Sequence, residues 1–351
     1  MTKKKSKEKN KLISILIGLV FITLGLVFAF IYLQNPKTPD IEVTPSPSPS
    51  KDIASNLPSP TNSATHEPIS PSPSPSQVNP SQPPTSAYLI DSFQGLEDYV
   101  NYLLNKNEGM YGLSFLNLNT EEYMGINEID FYVAASSTKV PFVMYIYKMV
   151  EEGKMSFDTL VEYTEDDTEA GTGIIIYEEY GKEFTILELT DYAILYSDNC
   201  AINMLMRIAG EWNMVNYMNK LGAKVDYINN RWKTCPYDLL LYFQELYRKY
   251  EENPSFYERF IETLSTNNVA YGVSSRSILP KDVQVGLKTG INYGLPTYNE
   301  TSIVFAKNTY ILSYCSSKIV MEESFDVFRD LSLTIYEFVE NGQVYVDWEG
   351  L

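Results

Sequence analysis

The chain has 351 residues, 44% of them hydrophobic, with 45 acidic against 27 basic side chains and a formal charge of −18. Eight basic and five acidic residues precede residue 87, so the remaining 265 positions carry 19 basic against 40 acidic residues, with no basic stripe for binding nucleic acid through bulk electrostatics. The one histidine, His66, stands in a proline-rich stretch, which takes imidazole out of any catalytic triad and leaves no histidine to ligate a metal in the folded region.

Six lysines (Lys3, Lys4, Lys5, Lys7, Lys9, Lys11) against Glu8 precede 22 uncharged, mostly apolar residues from Leu12 to Leu33. That length crosses a bilayer as a helix, and the positive-inside rule keeps residues 1–11 in the cytoplasm and the rest outside. No small-x-small cleavage site follows, only Gln34-Asn35-Pro36, so an uncleaved anchor over 12–33 is expected, with an extracellular catalytic domain on a single-pass cell-membrane protein. Between Pro36 and Pro84 lie 14 of the 19 prolines, many in Ser-Pro repeats, a composition that buries no core. Residues 34–86 therefore read as a disordered spacer and residues 87–351 as one domain large enough for a substantial core.

Within that domain the spacing of Phe93, Leu96, Tyr99, Val100, Leu103 and Leu104 predicts a helix over 91–105. Residues 111–118 and 122–126 alternate as two strands of a hairpin. A mostly buried helix follows through Val140, Val143, Met144, Tyr147 and Val150 to a stop at Glu152-Gly153. Residues 154–184 show little periodicity. Helices are expected over 185–195, 201–209 and 236–251, strands over 283–287, 301–306 and 309–314, and a last helix over 324–339. Strands at both ends with helices between them predict an α+β fold: one antiparallel sheet built from both termini, covered by helices, beside an all-helical lobe with a cleft between. Cys200, Cys235 and Cys315 have neither CxxC spacing nor an even count, and read as buried thiols.

Three short motifs carry chemistry: Ser136-Ser137-Thr138-Lys139, Ser197-Asp198-Asn199 and Lys288-Thr289-Gly290. Serine followed three residues later by lysine also occurs at Ser6 and Ser48, in segments that cannot build a site, so order, spacing and setting give the motifs their weight. Ser136 sits at a helix start, since Pro141 is tolerated only there, and Lys139 projects one turn later on the same face. A lysine buried beside other cations loses its proton near neutrality and serves as base to the serine. Between two helices, Ser197 is placed to shuttle a proton to the leaving group and Asn199 to bind the substrate amide, while Asp198 holds the turn and caps the next helix. Ending an apolar strand, Lys288 favours a substrate carboxylate and Thr289 donates to it. Gly290 lets a substrate backbone approach, and the N–H groups of Ser136 and Ile291 form an oxyanion hole. No cofactor is required.

These motifs, in this order, resemble those of class A β-lactamases and penicillin-binding proteins. The resemblance extends through Ala134 to Pro141, Ala170-Gly171-Thr172-Gly173, Tyr196 to Asn199 and Pro280-Lys281-Asp282-Val283, covering about residues 90–340. It implies the β-lactamase/transpeptidase-like fold and an acyl-serine intermediate formed with a β-lactam or a D-alanyl peptide of peptidoglycan. One departure stands out. Where class A enzymes carry a water-activating glutamate on an omega loop, residues 221–236 are short and hold no glutamate; Glu211 reads as a cap or surface residue and Asp226 is the other nearby acid.

Overall fold

A computed structural model describes residues 87–227, 233–268 and 273–348. The expected basic tail (1–11), membrane span (12–33) and linker (34–86) lie outside the described residues. The two ends of the described domain meet first: β1 (Ala87–Ile90) pairs antiparallel with β11 (Val344–Asp347), Ala87 opposite Asp347. Helix α1 (Phe93–Asn105) is capped by Ser92, whose hydroxyl accepts from the Gly95 N–H.

Among the described residues, five strands form the main sheet: β2 (Met110–Asn117), β3 (Tyr123–Ile126), β8 (Gln284–Asn292), β9 (Thr297–Phe305) and β10 (Tyr310–Ser317). Their order, β3-β2-β10-β9-β8, is antiparallel throughout and brings the N- and C-terminal parts of the domain into one sheet, as expected. Both faces are buried. Val304, Tyr310, Leu312 and Tyr314 pack with α1 and with α8 (Met321–Asn341), while Ile303, Ile311 and Cys315 face the helical lobe. Burial on both sides erases the polar–apolar alternation that marks a half-exposed strand. That is why sequence pattern ends β8 at Leu287 and starts β9 at Thr301, whereas pairing of Lys288 with Thr301 through Asn292 with Thr297 carries both strands further.

The helical lobe is built on α2 (Lys139–Glu151), whose Val140, Val143, Met144, Ile146 and Tyr147 are all buried. Around it stand α3 (Ile186–Leu195), α4 (Asn199–Ala209), α5 (Glu211–Leu221), α6 (Pro236–Glu252) and α7 (Pro254–Thr266). Helix α7 was not anticipated, although Pro254 at its start and Tyr257, Phe260, Ile261 and Leu264 at helical spacing announce it. Two further strand pairs stand outside the main sheet: β4 (Tyr132–Val133) with β7 (Lys233–Thr234), and β5 (Leu160–Glu162) with β6 (Glu183–Thr185), the latter pair enclosing two 3-10 turns in the weakly patterned 154–184 stretch. All three cysteines are buried and free.

Candidate active site

Ser136 lies in a 3-10 turn, Ala135–Thr138, that leads directly into α2. The turn is entered through Ala135 at φ 47°, a left-handed conformation costing a non-glycine residue about 1–3 kcal/mol. Tertiary contacts hold it there. Asn299 on β9 donates its Nδ2 to the carbonyls of Val133 (2.8 Å) and Ala134 (3.2 Å), and Ser137 Oγ donates to Ala134 O at 2.6 Å.

Gly290 completes the clamp from β8. A Cβ at this position would lie 2.7 Å from Ala134 O, 2.9 Å from Ser137 N and 3.2 Å from Ser136 N, so here glycine provides space for close approach. Gly290→Ala should displace the Ser136 turn and slow acylation on the order of 10²-fold, the typical effect of a ~1 Å misplacement. Stopped-flow acylation rates check this, and a wild-type rate would rule out the clamp.

Lys139 and Lys288 are only 6% and 3% exposed. Lys139 Nζ donates to Asn199 Oδ1 (2.6 Å), to Ser197 Oγ (3.2 Å) and to the Ser197 carbonyl; Lys288 Nζ donates to the same Ser197 Oγ (3.2 Å) and to Thr289 O (2.8 Å). One hydroxyl is thus bracketed by two buried amines. Burial lowers the Lys139 pKa to about 7, against the opposing pull of Asp198, Glu169 and Cys200. Burial and then the Lys139 charge push Lys288 well below the ordinary lysine value.

Asp198, fully buried, is the N-cap of α4 and accepts from Ala201 N (2.9 Å), Ile174 N (2.6 Å) and Ile175 N (2.9 Å). It ties the 170–175 loop to the second motif. Asn199 Nδ2 donates to Ala170 O at 3.1 Å, so its carboxamide joins the same loop to Lys139. Ser197 itself sits at φ 53°.

A cavity of about 540 Å³ is lined by Ser136, Lys139, Asn199 and Ile291, together with apolar Phe142, Ile202 and Met206. Thr289 and Gly290 adjoin it within β8. All eight residues singled out from sequence therefore gather around one cleft. Sequence reasoning missed Asn299 and Glu169, which act through folded neighbours and stand in no motif of their own, and it named Thr172 only within the Ala170–Gly173 part of the resemblance, with no role. Glu169 lines the cavity, its Oε2 accepting from Asn203 Nδ2 at 3.0 Å. Glu211, read from sequence as a cap or surface residue, is in the first turn of α5 and also lines the cavity. Residues 228–232 of the short 221–236 stretch lie outside the described residues, while Tyr227 reaches the cavity wall.

A β-lactamase from Pseudomonas aeruginosa, VEB-1, is 25% identical over 113 residues, covering 32% of this chain and 38% of that relative's length. A Streptomyces cellulosae β-lactamase is 24% identical over 219 residues, covering 58% and 70%. Among solved structures, a PBP-A mutant in an acyl-enzyme complex with penicillin G superposes with a TM-score of 0.64 at 18% identity, covering 70% of this chain and 97% of that one. An ancestral class A β-lactamase gives 0.61 at 18% identity, covering 69% and 99%. The family model described as the β-lactamase enzyme family (Beta-lactamase2) matches residues 95–339. By that match the chain belongs to the β-lactamase enzyme family, and its α+β architecture is the β-lactamase-like serine hydrolase fold.

Proposed function

We propose that this protein is a membrane-anchored, extracellular serine hydrolase that opens the amide of a β-lactam through an acyl-Ser136 intermediate. The observation that carries the reading is the Ser197 hydroxyl held 3.2 Å from each of two buried lysine amines, beside the cavity that Ser136 lines. Lys139 as the neutral amine takes the Ser136 Oγ proton while Oγ bonds to the substrate carbonyl carbon. The resulting oxyanion is received by the N–H groups of Ser136 and Ile291. Collapse breaks the C–N bond, and the proton passes through Ser197 Oγ to the leaving nitrogen. Lys288, with Thr289, attracts the substrate carboxylate, and Gly290 gives the substrate backbone room along β8. No cofactor enters this cycle. The Lys-rich start, the apolar 12–33 segment and the Pro/Ser stretch support an anchor and stalk that present the 87–351 domain outside the cell.

Because the base must be neutral, the acylation rate should rise with pH through about 7 and level off above it. A rate flat from pH 5 to pH 9 would remove Lys139 from the role of base.

A second reading is favoured by the absence of glutamate from residues 221–236: a penicillin-binding protein that acts on D-alanyl peptides, or a sensor, and keeps its acyl group when given a penicillin. PBP-A, which superposes well, bears the name of that class. Glu169 and Glu211 on the cavity wall supply carboxylates for activating water and weigh toward turnover. Intact mass of the full-length chain after mixing with a penicillin, followed alongside nitrocefin turnover, separates the two. Rapid turnover supports the β-lactamase reading; a lasting adduct supports the penicillin-binding one; no adduct and no turnover defeats both.

A further inference from the structure

The Ser197 carbonyl oxygen has two donors. One is Lys139 Nζ; the other is Thr172 Oγ1, at 2.7 Å. Thr172 also holds the motif from its other side, since its carbonyl accepts from Asn199 N at 3.1 Å. The loop is shaped for this grip: Gly171 and Gly173 both have φ 128°. A Cβ on the first would lie 2.8 Å from Asn199 Nδ2, and on the second 2.4 Å from the Asp198 carboxyl carbon. Thr172 is itself exposed, so packing does not explain a threonine here. What the side chain supplies is its hydroxyl.

Resting on the acyl-transfer reading above, we propose that Thr172 is a positioning residue: by sharing the Ser197 carbonyl with Lys139, its hydroxyl limits how tightly the Lys139 ammonium is held and keeps the amine ready to take the Ser136 proton. A carbonyl oxygen that already accepts a neutral hydrogen bond offers less to a second donor, and a charged donor loses more than a neutral one. Without Thr172 Oγ1 the carbonyl turns wholly to Lys139 and favours its protonated form. The titratable groups around Lys139 stay the same in such a variant: Asp198, Glu169 and Cys200 act to favour its charge, and Lys288 opposes it.

Thr172→Val removes the hydroxyl at constant shape, and Thr172→Ser restores it. In the full-length chain, Thr172→Val should move the rise of acylation with pH upward by about half a unit, so that acylation well below the midpoint is about threefold slower, with the rate recovering at high pH. Thr172→Ser should return the profile to wild type. The 15N shift of Lys139 Nζ, followed with pH, should move in the same direction. An unchanged Nζ titration, or an equal loss of rate at every pH, would overturn the proposal and leave Thr172 as a loop anchor or part of the cavity wall. If penicillin fails to label even the wild type, the acyl-transfer reading falls, and the Nζ titration still decides the role of Thr172.

Discussion

Ser136→Ala is expected to abolish penicillin labelling of the chain while leaving its melting temperature within about 2 °C of wild type. Ser136 is half-exposed at the cavity wall, and alanine suits a helix start, so little stability is at stake. Its neighbour makes a sharp control. Ser137 is buried, and its Oγ donates at 2.6 Å to Ala134 O, the carbonyl that also receives Asn299. Ser137→Ala should therefore lower stability by about 1 kcal/mol and still label, because that hydroxyl faces the backbone of the turn. Intact mass before and after penicillin, with thermal melts of both variants, reads the outcome. Wild-type labelling of Ser136→Ala would mean that another hydroxyl is the nucleophile.

Asp198→Ala should be the most destabilising single change in the site, by about 3–5 kcal/mol, which corresponds to a fall of roughly 10 °C in melting temperature. It strands the buried N–H groups of Ile175 and Ala201 and the half-buried one of Ile174, which now share one carboxylate. With the 170–175 loop released, the Thr172 contact to Ser197 and the Asn199 contact to Ala170 go with it, so acylation should fall in the molecules that remain folded. Urea unfolding monitored by circular dichroism, beside acylation at 15 °C, separates the two effects. A melting temperature within about 2 °C of wild type would show that water replaces the carboxylate and that the loop needs no anchor.

Two local decisions show where sequence pattern reaches its limit. Asp198 was legible as a helix cap because an N-cap acts within three residues, and its bond to Ala201 N is of that kind. Its other two bonds reach back 24 and 23 residues to a loop with no periodicity, and nothing near Asp198 announces them. Likewise Lys288 was legible at a strand, yet β8 continues through Asn292 because β9 pairs with it, a partner that no local alternation of Thr-Gly-Ile-Asn reveals.

By itself the sequence determined that the domain is acidic, contains no histidine, builds one sheet from both its ends, and carries a serine, two lysines and a capping aspartate in three ordered motifs. Such features are local or compositional: helix spacing, cap residues and motif order act over a few residues and survive in a linear reading. Only the tertiary structure decided that Lys139 and Lys288, 149 positions apart, share one hydroxyl. It also brought Asn299 and Gly290 onto the Ser136 turn, placed Glu169 and Glu211 on the cavity wall, and let Thr172 share the carbonyl that Lys139 holds. The physical reason is that a lysine becomes a base only when burial removes water from its charge, and burial belongs to the packed fold as a whole.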